Sequence, residues 1–500
     1  MRAEVKELSM RSLTAALWLA LGLAIAPAAA QDALPAVEWV ACWMALPDDI
    51  VDGQNLDCGY LLAPEDRDDP ASPVIELAFA ILYAPAADVK PDPVVYLAGG
   101  PGGNAVGELE GWLDVPYLQD RDLILLDQRG TGYSLPSLNC PEMEKNAEGA
   151  ALACRDRLRG AGVNLQAYNS AANAADVADL RIALGYDEWN LYGISYGTRL
   201  ALTVMRDHPD GIRSVVLDSV YPPEVNSWEQ YGQNTVEAFS RLFQSCAADA
   251  ECAAAYPDLE QVFYDAVAAL DAEPAEYAGI DPDTGSGIQQ SLSGSGLIDR
   301  VFQLLYATES IPFLPWVITE VGAGNYAALD ELETGELLDK GRQPAADEDI
   351  TDSEGMNLSV ECQEEIAFLD EARSLAGVPA QPAALYRNSI ATIQATFSDC
   401  RVWAVAAADP RETQPVVSAI PTLVVAGGFD PITPPKWAES AASHLPNSFY
   451  FLFPAGGHGV IDMNLCSQSI MQAFLDDPTR RPDGSCISEM SAPLWALPSG

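Results

Sequence analysis

Residues 189–205 read Trp-Asn-Leu-Tyr-Gly-Ile-Ser-Tyr-Gly-Thr-Arg-Leu-Ala-Leu-Thr-Val-Met, and this stretch decides the fold. A short apolar strand, Trp189 to Tyr192, runs into Gly193-Ile194-Ser195-Tyr196-Gly197, and a helical run follows from about Thr198 to Met205. A serine between strand and helix sits on a sharp turn. Gly193 and Gly197 supply the small residues that such a turn needs, and the turn pushes the hydroxyl out of the sheet. The five-residue pattern alone is weak evidence. The strand before it and the helix after it give it weight.

A serine hydroxyl is a poor nucleophile at neutral pH. It needs a general base, and the base needs a carboxylate to fix its tautomer. The chain has three histidines. His208 reads as a helix end, carried away from Ser195 by the length of that helix. His444 precedes a turn, Leu445-Pro446-Asn447, that leads into the strand Phe449–Phe453, and reads as structural. His458 lies in Gly456-Gly457-His458-Gly459, just beyond that strand, where a glycine-rich loop can turn it back toward a neighbouring strand end.

Asp430 is the carboxylate candidate, in Gly427-Gly428-Phe429-Asp430-Pro431 after the apolar strand Thr422–Ala426. The order Ser195, Asp430, His458 is that of α/β-hydrolases. Asp127 and Asp218 also follow apolar strands. Asp218 is the more serious rival, because it ends the strand after the serine. Acyl transfer also needs donors for an oxyanion. The N–H of Tyr196 is one candidate. The other lies in Gly99-Gly100-Pro101-Gly102-Gly103, after the strand Val94–Ala98, and Gly100 is the expected residue.

With these segments in hand, the chain resembles the prolyl iminopeptidase and tripeptidyl aminopeptidase family of α/β-hydrolases. The resemblance rests on Gly99–Gly103, on Asp127-Gln128-Arg129-Gly130-Thr131-Gly132-Tyr133-Ser134, on Gly193–Gly197, on Gly428–Pro431 and on Gly457–Gly459. It implies removal of residues from the free N-terminus of peptides through an acyl-enzyme. Ser195 is then the nucleophile, His458 the base and acid, and Asp430 the orienting carboxylate. Asp127 and Arg129 are then structural, tying together the loop under the site. Ala98 departs from the family, where prolyl iminopeptidases usually carry His. That departure, the length and the cysteines are similar to the larger, secreted tripeptidyl branch.

The N-terminus reads as a secretory signal over residues 1–30. Arg2, Lys6 and Arg11 precede an apolar run, Leu13 to Ala26, and Ala28-Ala29-Ala30 offers the cleavage site. The run is too short for a stable span, and no cysteine follows the cleavage site, so no membrane anchor is expected. The mature protein is expected in a periplasm or the medium. Ten cysteines fit an oxidising compartment. Pairing of sequence neighbours is expected: Cys42 with Cys58, Cys140 with Cys154, Cys246 with Cys252, Cys362 with Cys400, and Cys466 with Cys486. None has C-x-x-C spacing, so no metal site and no cofactor are expected.

The formal net charge is −47, and it becomes −48 once the signal, with its three basic and two acidic residues, is removed. Nucleic acid is therefore excluded as a partner. An acidic surface keeps a secreted protein soluble, suits a saline habitat, and attracts peptides with a free ammonium terminus.

The first half alternates strands (Val74–Leu82, Val94–Ala98, Leu123–Asp127, Trp189–Tyr192, Val215–Leu217) with helical stretches such as Ala172–Leu184. That predicts a mostly parallel sheet flanked by helices. The pattern stops near Tyr221-Pro222-Pro223 and resumes near Ile420-Pro421-Thr422. The expected organisation is a signal at 1–30, hydrolase core at 31–222, a helical cap at 223–414 and the rest of the core at 415–500. Helical patterns at Thr235–Ala248, Leu259–Leu270 and Leu297–Tyr306 carry the cap reading, with an irregular acidic segment around Asp347–Glu354.

An exopeptidase must recognise a terminus, and a buried ammonium needs a carboxylate. The cap segment Val360-Glu361-Cys362-Gln363-Glu364-Glu365 offers one, so Glu361 or Glu364 is expected to bind the substrate amine. A carboxylesterase or lipase could use the same three residues, because both reactions pass through an acyl-enzyme. A non-catalytic binding protein of this fold usually lacks one of the three, and here none is missing. A dehalogenase or epoxide hydrolase would carry aspartate in place of Ser195. Oligomeric state stays open.

Overall fold

The computed structural model describes residues 34–47, 49–143, 149–281, 286–334, 351–490 and 493–498. The expected signal at 1–30, and the acidic stretch at 347–350, lie outside them. Among the described residues, nine strands form one sheet: β1 (Ala36–Val40), β2 (Leu56–Pro64), β3 (Val74–Leu82), β4 (Val94–Leu97), β5 (Leu123–Leu126), β6 (Trp189–Ile194), β7 (Ile212–Asp218), β10 (Thr422–Gly427) and β11 (Ser448–Phe453). A separate hairpin pairs β8 (Ala275–Ile280) with β9 (Gly287–Leu292).

The order across the sheet is β1-β2-β3-β5-β4-β6-β7-β10-β11. The pairs from β1 to β5 are antiparallel, and those from β5 through β4, β6, β7 and β10 to β11 are parallel. This is the α/β-hydrolase sheet that the sequence predicts. Its parallel strands read as unbroken apolar runs because helices cover both faces. Val-Val-Tyr-Leu in β4 and Leu-Ile-Leu-Leu in β5 are buried throughout. The helices Ser170–Leu184 and Tyr196–Asp207 pack on one face through Val177, Leu180, Leu200 and Val204.

Two strands of the large sheet stand outside the sequence reading. In β2, Leu56, Cys58, Leu61 and Ala63 are buried, a rough alternation that marks a half-buried strand. β1 is a five-residue edge strand with Trp39 exposed, too short to show a period.

Between β7 and β10 lies an inserted segment built mainly of helices, including Ser227–Ala248, Leu259–Ala272, Gly294–Leu304, Glu354–Val360 and Ala383–Trp403. It has its own apolar cluster, in which Phe239, Phe243, Phe263, Val301 and Leu314 meet. Phe429, beside Asp430, belongs to that cluster, so the insertion packs directly on the carboxylate loop. The insertion is not purely helical, because it contains the β8–β9 hairpin. That hairpin is mostly solvent-facing and shows little apolar alternation. Asp330 holds it, accepting from Tyr277 Oη and from the N–H of Ile280.

All five expected cysteine pairs are disulfides in the structure: Cys42–Cys58, Cys140–Cys154, Cys246–Cys252, Cys362–Cys400 and Cys466–Cys486. Among the described residues no helix is long and apolar enough to cross a membrane.

Candidate active site

Parallel strands place the loops that follow them at one edge of the sheet. In register, Leu97 of β4 lies beside Gly193 of β6, Val425 of β10 beside Asp218 of β7, and Ala426 beside Leu452 of β11. The loops after β4, β6, β10 and β11 carry Gly99–Gly103, Ser195, Asp430 and His458, so all four emerge together.

Ser195 has φ 54° and ψ −124°, a region that residues with a side chain rarely adopt. The chain is forced there by the tightness of the turn. A Cβ on Gly193 would fall 2.3 Å from Gly197 O, and one on Gly197 would fall 2.0 Å from Leu97 O. Both positions therefore require glycine. Ser195 precedes the helix Tyr196–Asp207, whose first N–H groups have no intrahelical acceptor. The N–H of Tyr196 is among them.

The Gly99–Gly103 loop touches the serine. A Cβ on Gly99 would lie 3.0 Å from Ser195 Cβ and 3.6 Å from its Oγ. Gly100 has φ +109° and lines the same cavity as Ser195. Gln128 Nε2 donates to Ala98 O at 2.9 Å and fixes the start of the loop. Buried Asp127 fixes its end, accepting from the N–H of Ala105 at 2.7 Å, Val106 at 3.0 Å and Tyr133 at 2.8 Å. Burial, against those three donors, pushes its carboxyl up to about 6. Arg129 is also buried, bidentate on Asp176 and donating to the carbonyls of Glu65 and Ala167.

His458 Nδ1 lies 2.9 Å from Asp430 Oδ2. The other oxygen of Asp430 accepts the N–H groups of Ile432 and Thr433, at 3.0 and 2.8 Å. Thr433 Oγ1 donates to Asp430 Oδ2 at 2.7 Å and lies 3.2 Å from His458 Nδ1. Burial lowers the imidazole pKa, but the charge and hydrogen bond of Asp430 outweigh it, so the group is raised above 6.5. Ser195 Oγ itself forms no hydrogen bond among the described residues. The two loops nevertheless touch, since a Cβ on Gly459 would fall 2.8 Å from Ile194 Cδ1.

Asp218 is not the histidine's partner. Its backbone carbonyl accepts Ser195 N–H at 3.0 Å, and its carboxylate accepts the N–H groups of Val460 and Ile461. One residue thus ties the serine turn to the histidine loop. The insertion grips that loop from the other side: Tyr306 O accepts His458 N–H at 2.8 Å, and Thr308 Oγ1 accepts Gly457 N–H at 2.9 Å. His208 caps the end of the helix Tyr196–Asp207, and His444 Nδ1 bonds Ser440 O. Neither belongs to the site.

Beside Ser195 is a cavity of about 170 Å³, walled by Trp228, Tyr231, Tyr306, Trp437, Asn234 and Glu361 among others. Glu361 and Glu364 part company here. Glu361 lines this cavity and accepts from Trp228 Nε1 at 2.5 Å. Glu364 does not line it. Its carboxylate accepts from Ser170 N–H, Ser170 Oγ and Arg199 Nε, and it is fully buried. The expectation that Glu364 meets a substrate amine is therefore corrected: its oxygens are consumed within the protein. The two glutamates diverge because residues 361–365 form a wide π-type turn.

Arg199 also donates to Glu365 Oε1 at 2.6 Å. The guanidinium thus pairs with two buried carboxylates, Glu364 and Glu365, and a third, Glu361, is near enough to act on it by charge. Among the described residues no cation forms an ion pair with Glu361. Burial and the charge of Glu365 push it up to about 8.

The fold and the elbow at Ser195 define a serine hydrolase of the α/β-hydrolase class. Residues 92–266 match the family model described as alpha/beta hydrolase fold, and residues 387–486 match that of TAP-like protein. The chain therefore has the α/β-hydrolase fold, and its C-terminal part is similar to TAP-like protein. It is 25% identical to serine protease Hip1 of Mycobacterium tuberculosis, over 90% of each chain. It is 28% identical to tripeptidyl aminopeptidase of Streptomyces lividans, over 44% of each chain. A probable proline iminopeptidase of Streptomyces coelicolor is 32% identical, over 26% of this chain and 32% of that one.

Sequence reasoning missed Thr433, Tyr306 and Trp228. Thr433 could have been suspected from Asp430-Pro431-Ile432-Thr433, where a threonine three residues after an aspartate can cap the same turn. Tyr306 and Trp228 carry no local signal, because only the folding of the insertion brings them to the site.

Proposed function

We propose that the protein is a secreted exopeptidase that removes residues from the free N-terminus of peptides through an acyl-enzyme. Ser195 attacks the carbonyl, and His458 takes its proton and passes it to the leaving amine. Asp430 holds the Nδ1–H tautomer and stabilises the imidazolium. The N–H groups of Tyr196 and Gly100 hold the oxyanion. Glu361 receives the substrate ammonium.

One observation carries the N-terminal preference. Glu361 is a buried carboxylate beside the serine; among the described residues no cation pairs with it, and two further carboxylates lie behind it. Three carboxyl groups share one guanidinium, so Glu361 keeps its proton up to about pH 8, and a bound cation can take the place of that proton. An ammonium is such a cation, and the aromatic walls add cation–π attraction. The five disulfides fit an oxidising compartment.

The test compares the mature protein with Ser195→Ala on Pro-anilide, Ala-Ala-Pro-anilide and N-acetyl-Ala-Ala-Pro-anilide. Serine-dependent cleavage that acetylation abolishes supports an aminopeptidase, and the better free-amine substrate gives the length of the fragment removed. Ser195-dependent cleavage of p-nitrophenyl esters without amide cleavage overturns the peptidase reading in favour of an esterase.

A further inference from the structure

The Gly99–Gly103 loop is anchored at both ends by the core, through Gln128 and Asp127. Its middle is held by the insertion instead. Asn357 Nδ2 donates to Pro101 O at 3.2 Å, and Ser353 N–H donates to Gly102 O at 2.9 Å. A Cβ on Gly102 would fall 2.5 Å from Ser353 O, so backbone lies directly on backbone.

The element making these contacts is itself fixed. Ser353 Oγ caps the helix Glu354–Val360 by accepting Met356 N–H. Glu354 Oε2 accepts Cys140 N–H at 2.9 Å, and Gly355 N–H donates to Leu138 O at 3.1 Å. Trp403 Nε1 donates to Ser359 Oγ at 3.0 Å. The helix then runs without a break into Glu361, and Cys362 is tied to Cys400. A rigid strut therefore spans from the glycine loop to the wall of the cavity.

We propose that Asn357 is a positioning residue for the oxyanion loop: by holding Pro101 O it fixes the tilt of the 100–102 backbone and so the direction of Gly100 N–H. It touches no substrate and acts only through the loop. The proposal rests on the acyl-transfer reading of Ser195 and not on the preference for a free N-terminus. A donor aimed at an oxyanion works because it is already in place when charge develops. A loop that tilts keeps substrate binding but loses that pre-alignment, and small misplacements cost up to about 10²-fold.

The experiment uses Asn357→Ala and Asn357→Leu, the second keeping the size of the side chain without its N–H donor and without adding charge. Both are compared with wild type on the best substrate found above. The readings are kcat, KM, Tm and affinity for a peptide boronate, whose tetrahedral serine adduct places an oxygen where the oxyanion forms. Expected are a fall in kcat of about tenfold, KM within about twofold, and boronate affinity falling by the same factor as kcat/KM. A rise in KM with kcat retained, or unchanged boronate affinity, overturns the proposal. Should Asn357→Ala fail to fold, Asn357→Leu decides by the same readings. Wild-type protein that turns over no substrate and binds no boronate overturns the acyl-transfer reading and this proposal with it. Wild-type activity that both variants keep overturns this proposal alone.

Discussion

Asp218 ends β7 and Asp430 lies three residues beyond the neighbouring parallel strand β10, yet only Asp430 meets His458, at 2.9 Å, while Asp218 binds the backbone of the two residues after Gly459. The division follows from chain direction. The loop after β10 turns toward the histidine ring and is closed by its own Thr433. The carboxylate of Asp218 lies under the histidine loop, where backbone N–H groups point down.

This division predicts different phenotypes for isosteric substitutions. Asp430→Asn leaves the fold intact and lowers kcat by about 10⁴, the scale seen when a triad aspartate is replaced and the tautomer is wrong. Asp218→Asn keeps the tautomer but loses charge-assisted bonds to Val460 and Ile461. It should cost stability, about 1–3 kcal/mol in a denaturant titration, with a smaller loss in kcat. Equal losses of kcat in the two variants would contradict the assignment.

The pH profile follows from His458. Its pKa is raised above 6.5 because the charge and hydrogen bond of Asp430 outweigh burial. The base must be neutral to take the serine proton, so activity falls as pH drops through the raised value. The acid limb of kcat/KM is expected above pH 6.5 and should move down in Asp430→Asn, whatever the residual rate. A limb at or below 6.5 in wild type would show that burial dominates instead.

Glu361 adds a second, separable effect. Its carboxyl is pushed up to about 8 by burial and by Glu365. Between the ordinary glutamate value and pH 8 the folded protein holds a proton that the unfolded chain has released. Stability therefore falls as pH rises through that window. Glu361→Gln should flatten this slope in melting curves taken from pH 5 to 8.5. The same variant should raise KM for free-amine substrates by tenfold or more, while cleavage of simple esters by Ser195 is retained. Retained KM for free-amine peptides would remove Glu361 from recognition.

Much of this was legible in the sequence, for identifiable reasons. β4, β5, β6 and β10 are buried on both faces, so each reads as an apolar run followed by a functional loop. Ser195, Asp430 and His458 could be proposed because a strand end followed by glycines is a local pattern. Glu361 and Glu364 could not be told apart, because three residues of spacing decide nothing until a π-type turn sets their directions. The β8–β9 hairpin was hidden because solvent covers most of it and its order comes from the distant Asp330. Arg199 gave no signal at all. It sits four residues after the serine, on a helix whose buried side would be expected to be apolar.

Arg199 yields the last prediction. It is fully buried and bonded to Glu364, Glu365 and the carbonyl of Glu412, with its guanidinium 5.0 Å from the centre of the Tyr221 ring. Its pKa is raised despite burial, because Glu365 and Tyr221 favour the cation. Removing one partner of a buried pair leaves an uncompensated charge, at a cost of about 3–5 kcal/mol. Arg199→Met alone should therefore lose about that much stability in a denaturant titration. Arg199→Met combined with Glu364→Gln and Glu365→Gln should regain most of it, since no buried charge is then left unpaired. A triple variant no more stable than Arg199→Met would mean that the network holds the helix Tyr196–Asp207 by geometry rather than by charge balance.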